Sequence, residues 1–146
     1  MNEISIAAKI VLANTFVMYF KAHSHHWNVE GSDFAQLHDF FGDMYEELYG
    51  AVDPIAEEIR AMGDYAPRSL NDLYMHKTVM DQSSVANAKE MIIDLANTNA
   101  VTLESLNKLF TLLNEANDQG FADFIAGRID AHKKHGWMLR SFLKGE

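Results

Sequence analysis

Chain-breaking residues are scarce: the 146 residues include two prolines and eight glycines. Proline removes a helix hydrogen bond and glycine costs helix stability, so a chain with few of either runs uninterrupted for long stretches. Long helices fit that better than a many-turned β fold. Four stretches carry apolar residues at spacings of three, four and seven, with no internal repeat and no low-complexity tract. The predicted fold class is therefore all-α. A hydrophobic share of 48% with 23% charged residues suits one folded domain spanning 1–146. There is no cysteine, which excludes disulfides, thiolate zinc sites, iron–sulfur clusters and cysteine nucleophiles. Any metal must be held by histidine and carboxylate.

The first helix is expected over about 3–26. Its apolar residues, among them Ile4, Ala8, Val11, Phe16, Met18 and Phe20, cover most of its circumference, and a helix of that kind is buried on two sides. A loop over 28–32 contains Gly31, and Asp33 with Gln36 reads as a capping box opening the second helix, which ends near Gly63. Residues 64–82, with Pro67 and the apolar cluster Leu70, Leu73, Tyr74 and Met75, form a long connection carrying one short helix. The third helix starts near Ser83 or Ser84 and the fourth near Asp118. A long middle crossover lets the second and third helices lie parallel, the ferritin-like arrangement of a four-helix bundle.

The formal charge is −9, from 21 acidic against 12 basic residues. Such a chain repels nucleic-acid phosphate unless its cations are gathered, and neither end is a basic arm, so direct DNA binding is expected to be weak or absent. The apolar stretch 10–20 is read as a core helix rather than a signal peptide, because Glu3 precedes it and Asn14 interrupts it. No run approaches the roughly 20 apolar residues of a bilayer span. The expected location is the cytoplasm.

On the second helix Phe41, Met44, Tyr45, Leu48, Val52, Ile55, Ile59 and Met62 share one face, at about 100° per residue. Asp43, Glu46, Glu47, Asp53 and Glu57 share the other. An acidic stripe is ordinarily a solvated face. This one has no lysine or arginine interleaved before Arg60, so it lacks the opposite-charge pairs that support exposed helices. Asp53 and Glu57, one turn apart, can together hold a cation. His23 and His25 are read as partners of the first helix's C-terminal dipole. The loop reverses the chain, so His26 can approach His38, and two imidazoles with two carboxylates suit ferrous iron or zinc.

Distance decides how these groups combine. His38 and Asp53 are 15 positions apart on one helix, about 22 Å at 1.5 Å per residue, so one chain cannot place both on one ion. Two copies of the second helix packed antiparallel about a two-fold axis bring the His26/His38 end of each to the Asp53/Glu57 patch of the other. No Glu-x-x-His occurs, in keeping with a site between subunits rather than inside one.

The residues His26-Trp27-Asn28-Val29-Glu30-Gly31, then Phe34, Leu37-His38 and Asp53-x-x-Ala56-Glu57-x-x-Arg60-x-x-Gly63 resemble the signature of the DNA-binding proteins from starved cells (Dps), the twelve-subunit mini-ferritins. The likeness covers nearly the whole chain. It implies that His26 and His38 of one subunit and Asp53 and Glu57 of its two-fold partner form a ferroxidase centre, with Trp27 packed close by. The stretch Ala131-His132-Lys133-Lys134-His135-Gly136-Trp137-Met138-Leu139-Arg140-Ser141 is similar to the family's ending, with Lys133 in place of a usual glutamate. The family's iron-entry channels are lined by aspartates near the start of the last helix, where Asp118 and Asp123 stand; a helix cap is the other reading of such an acid. Pro54, beside Asp53, is a departure that predicts a kink. Tyr19, Tyr45 and Trp137 are read as packing, and Trp27 alone is carried as a candidate radical sink.

The resemblance implies a dodecameric ferroxidase, an oxidoreductase that oxidises ferrous iron with hydrogen peroxide, stores the ferric product and protects against oxidative damage. Asp43, Glu46 and Glu47 are candidates for nucleating the mineral. The alternatives are a shell whose main role is binding and protecting DNA, and a four-helix interaction module with structural histidines.

Overall fold

The computed structural model describes residues 2–82, 84 and 87–145. Its elements are α1 (Glu3–Asn28), α2 (Phe34–Ala61), α3 (Leu70–Tyr74), α4 (Ala88–Glu115) and α5 (Gln119–Phe142), with no strand among the described residues. Four long helices form the bundle, and α3 is the short helix expected in the long connection. α1 packs on both α2 and α4, and α4 packs on α5.

Local chemistry sets the helix starts. Asn2 caps α1 by accepting from the Ser5 amide at 2.6 Å. Ser69 caps α3 through the Asp72 amide. α4 begins at Ala88, later than the expected Ser84; Ser83 lies outside the described residues. The cap is Asn87, whose Oδ1 accepts from the Glu90 amide at 2.9 Å while its Nδ2 donates to Glu90 Oε1 at 2.8 Å. The capping box expected at Asp33 does not form, because Asp33 has φ −99°, ψ 19° and makes no side-chain cap bond. An N-cap carboxylate reaches its amide from extended backbone, which Asp33 does not adopt. The α1–α2 turn instead uses Gly31 at φ +114°, with Val29 buried beneath it.

Two apolar clusters fill the bundle. One joins Ala8, Val11 and Leu12 to Ile55, Ile59, Leu106, Leu109, Leu113, Phe121 and Ile125; the other joins Met18 and Ala22 to Leu37, Phe41, Met44, Leu48, Leu95 and Leu139. Each large side chain among them contributes roughly 1.5–3 kcal/mol on burial. Between the clusters lies a buried polar waist of Thr98, Asn99, Thr102, Arg128, His132 and His135. Asn14, fully buried, pins the connection by accepting from the Thr78 and Val79 amides and donating to Thr78 and Ser105 hydroxyls.

α1 is buried on two sides, as expected, against α2 and α4 of its own chain. The large apolar side chains of α1 that stay exposed are Ile6 at 42%, Phe20 at 49% and Trp27 at 57%. The cluster on the connection is also largely open, with Leu70 and Met75 exposed and Leu73 alone buried. Phe16, Phe20, Leu70 and Tyr74 line an apolar cavity of about 400 Å³. α1 is long and apolar enough to cross a membrane, contrary to the expectation from the sequence, but 61% of its most apolar stretch is buried in the bundle.

Candidate metal centre

The turn after α1 delivers the predicted imidazole pair. His26 and His38 stack face to face, ring centroids 3.8 Å apart and planes within 18°. Each Nδ1–H donates to the other's backbone carbonyl, both at 2.7 Å. A carbonyl can only accept, so each ring carries its proton on Nδ1, and each Nε2 keeps its lone pair. No protein group among the described residues bonds either Nε2. Metal-binding histidines are oriented in this way, by a carbonyl on the other nitrogen.

Two aromatic rings and a glycine surround the pair. Phe34 stacks on His38 at 5.1 Å, Tyr45 lies 5.3 Å from His26, and Gly42 gives His26 its space. A Cβ at Gly42 would stand 3.1 Å from His26 Nδ1. His23 stacks flat on Tyr45 at 3.8 Å, lies 4.2 Å from Trp27 and bonds the Tyr19 hydroxyl. Burial, then the nearby His26, lowers its pKa. His25 is buried against Asp94, which also holds Lys21 at 2.7 Å. These two histidines therefore do more than answer the helix dipole: one joins an aromatic stack, the other an ion-pair core.

The carboxylates stand apart from the imidazoles. Asp53 and Glu57 are exposed on α2, one turn apart, and α2 continues as one helix through Pro54. The carbonyl of Gly50, which loses its donor to the proline ring, belongs to an exposed residue with open space around it. Within one chain, no three of the described histidines and acids converge on a metal position. The structure brings together His26 and His38, and separately Asp53 and Glu57. It does not join the two pairs.

Glu47 is corrected. It turns to α5, accepting from Arg128 Nη1, from Arg128 Nη2 at 3.1 Å and from His135 Nε2 at 2.7 Å, so it is not a free carboxylate of the acidic face. Burial alone would raise its pKa, but the bonds from His135 and Arg128 and the Arg128 charge lower it to about 2. Its partners lie 81 and 88 positions away, and the only hint in the sequence is polar residues 128, 132 and 135 on an apolar stripe. Asp43 and Glu46 remain exposed.

At the other end, Asp118 caps α5, accepting from the Phe121 amide at 3.3 Å, and Asp123 is exposed. Burial, then the Asp118 charge, raises the pKa of Glu58, an acid the sequence reading passed over. Trp137 is not packing: it is 62% exposed, on a groove lined also by Lys133 and Arg140.

A family model described as a ferritin-like domain matches residues 9–145. The chain is 31% identical over 137 residues to an uncharacterized low temperature-induced protein of Nostoc sp., covering 92% of this chain and 76% of that protein. It is 30% identical over 133 residues to a DNA protection during starvation protein of Brevibacillus brevis, covering 91% and 89% respectively. The X-ray structure of Dps from Thermosynechococcus elongatus superposes with a TM-score of 0.94 at 26% identity, over 99% of this chain and 92% of that one.

Proposed function

This chain belongs to the ferritin-like family, in its Dps branch, and from that premise we propose that it oxidises ferrous iron at sites shared between two subunits and stores the ferric product in a hollow shell. The observation that carries the reading is the His26/His38 lock: two oriented imidazoles with bare Nε2 atoms and, among the described residues, no carboxylate of their own chain that completes a metal position with them. A two-fold partner supplies the missing half through its Asp53 and Glu57. The uncovered strip of Phe20 and Trp27, with Leu70 and Met75, offers apolar surface for that contact, and exposed patches of this kind mark interaction sites.

The chemistry follows from the ligands. Neutral imidazoles and carboxylates bind ferrous iron, the substrate, and the added negative charge favours the ferric product; zinc competes for the same atoms. Hydrogen peroxide is the oxidant. It accepts two electrons, so paired ferrous ions reduce it without releasing the radical that a one-electron step makes. Asp118 and Asp123 line the entry path for iron, and Asp43 and Glu46 nucleate the mineral. The assembly is a dodecamer built from two-fold dimers, working in the cytoplasm to limit oxidative damage. Its charge of −9 per chain keeps DNA binding weak.

Ferrous iron and peroxide added to the assembled protein should give ferric absorbance, lost with His38→Ala. A solution mass near that of one chain would end the proposal, because the two halves of the site could not meet. A gel shift that persists above about 50 mM salt would favour the DNA-protecting shell instead.

A further inference from the structure

The polar waist arranges its atoms as a metal site does, around a cation that belongs to the chain itself. Arg128 donates to both oxygens of Glu47, through Nη1 to Oε2 and through Nη2 to Oε1 at 3.1 Å. The same Nη2 donates to Nε2 of His132 at 3.1 Å, and His135 Nε2 stands 2.7 Å from Glu47 Oε1. Two imidazoles and one carboxylate thus gather round one guanidinium.

His132 is oriented as a ligand is. Asn99 Nδ2 donates to the His132 carbonyl at 2.9 Å, which turns its Oδ1 to accept from His132 Nδ1, also at 2.9 Å. The ring proton is therefore on Nδ1 and the Nε2 lone pair faces the cation, as in metal-binding histidines held by a partner on the other nitrogen. Gly136 leaves the amide its room, since a Cβ there would stand 3.1 Å from Asn99 Nδ2. Two further atoms, Arg128 Nε and His135 Nδ1, are buried without a partner, on side chains only 8% and 7% exposed. A cluster kept for stability alone would satisfy both, because a buried orphan costs more than an ordinary hydrogen bond contributes.

We propose that Glu47, His132 and His135 are a metal-ligand set whose cation position Arg128 occupies, and that the arginine thereby keeps iron out of each chain's own bundle. Two histidines and a carboxylate are the donor set of non-haem ferrous sites. An ion in place of Nη2 reaches ligand distance when each 3.1 Å contact shortens by roughly 1 Å. His135 then binds through Nε2 and carries its proton on the open Nδ1. In the native chain no three of the described histidines and acids converge on a metal position, and the guanidinium fills the space between these three. The way in is open, for the Glu47 side chain is 38% exposed, on the helix that also exposes Asp43 and Glu46.

The occupancy by Arg128 stands on this geometry; its consequence for iron rests on the proposed function. A single ferrous ion in the waist would give peroxide one electron, yielding ferric iron, hydroxide and a hydroxyl radical inside the core. A guanidinium keeps its charge at every physiological pH and has no electron to give, so it closes that route.

The test uses the assembled protein with the shared site disabled by His26→Ala/His38→Ala, and cobalt(II) as the probe. Cobalt held by imidazole at low coordination number absorbs visible light far more strongly than aqueous cobalt, and this parent should show no such band. Adding Arg128→Ala, which leaves room for an ion where a leucine would fill it, should produce the band at one cobalt per chain. Adding Glu47→Gln as well should remove it. Arg128→Lys in the same parent should stay silent, because an ammonium also holds the position. Millimolar guanidinium should displace the band of Arg128→Ala, and the same concentration of urea should not. If the alanine variant is unfolded on its own, cobalt should restore its helical circular dichroism, because binding to the native state alone adds to folding. Neither band nor restoration overturns the ligand set, and so does a band that survives Glu47→Gln. For iron, Arg128→Ala with His26 and His38 intact should bind one ferrous ion per chain more than the wild type in anaerobic equilibrium dialysis; an equal count overturns the exclusion role. Failure of the proposed function is seen separately, as absence of ferric product in the wild type, and leaves the cobalt result as it stands.

Discussion

Two pairs of imidazoles lie in this molecule, and they use their nitrogens differently. At the α1–α2 turn, His26 and His38 each commit Nδ1 to a carbonyl and leave Nε2 open. On α5, His132 bonds Asn99 through Nδ1 and Arg128 through Nε2, while His135 bonds Glu47 through Nε2 and buries an unpartnered Nδ1. The second pair is nearly or wholly buried in the polar waist; the first is half-buried at the end of a helix pair. Residue type does not separate them. What separates the candidate ligands from the histidines of the waist is a lone pair that the fold orients and leaves unanswered without burying it, whereas the unpartnered Nδ1 of His135 is sealed inside.

The comparison breaks most sharply at the first pair. His38→Ala removes one bare Nε2 and the carbonyl lock's ring partner together, and ferrous oxidation should fall by at least roughly 100-fold, the upper range for losing even an outer partner of a metal ligand. His132→Gln should leave the oxidation rate unchanged, since the amide can still accept from Arg128 and donate to Asn99. Stopped-flow absorbance of ferric product measures both. Equal losses in the two variants would mean that the histidines act through stability alone.

The next test asks whether the open half of the site comes from another chain. A double variant His26→Ala/His38→Ala and another, Asp53→Asn/Glu57→Gln, should each be inactive. Unfolded together and reassembled, they should recover roughly a quarter of the wild-type rate: random pairing makes half the dimers mixed, and each mixed dimer has one intact site of two. No recovery would place all the ligands in one chain, or none of them in a site.

How much of this was legible in the sequence follows the range of the forces involved. Apolar spacing marked all four long helices, since the signal repeats every turn. The meeting of His26 and His38 was also legible, because a short turn leaves their helices few ways to run. The start of α4 departs from the expected one although its signal is in the sequence: Asn87 with Glu90 three positions on is a capping pair, and serines upstream are equally good caps by residue type. Asp33 carried the same kind of pattern and fails, because its backbone is not extended. Glu47 could not be read at all from its neighbours. Its partners come from α5, and a helical wheel shows only that the acid is not on the apolar stripe.

A smaller effect is expected from the waist itself. Arg128 is buried and its partner Glu47 is partly open, with side-chain exposures of 8% and 38%. Arg128→Leu leaves Glu47 without its charge partner and His132 without a donor; with water able to reach Glu47, the loss of stability should be about 2–3 kcal/mol, below that of a fully buried pair. Adding Glu47→Leu should restore part of it. Urea unfolding measures the loss, and ferrous oxidation should stay at the wild-type rate in both, because neither side chain touches the first histidine pair.

The smallest effect is a slope against pH. Burial, followed by the Arg128 and His135 charges, lowers the His132 pKa to about 3. An unfolded chain binds that proton from about pH 6.5 downward, while the folded chain refuses it until about pH 3, so the unfolded state holds more protons across the interval and stability falls as pH falls. Glu47, lowered to about 2, adds a second loss that begins below its ordinary carboxylate range and ends near its folded value. The urea midpoint should therefore decline from pH 6.5 towards 3, and His132→Gln should flatten that decline from 6.5 to about 4.5 and lessen it below, where the Glu47 share remains. If the variant shows the full wild-type slope above pH 4.5, the acid sensitivity belongs to other groups, and the waist is not the region that distinguishes the structural histidines from the binding ones.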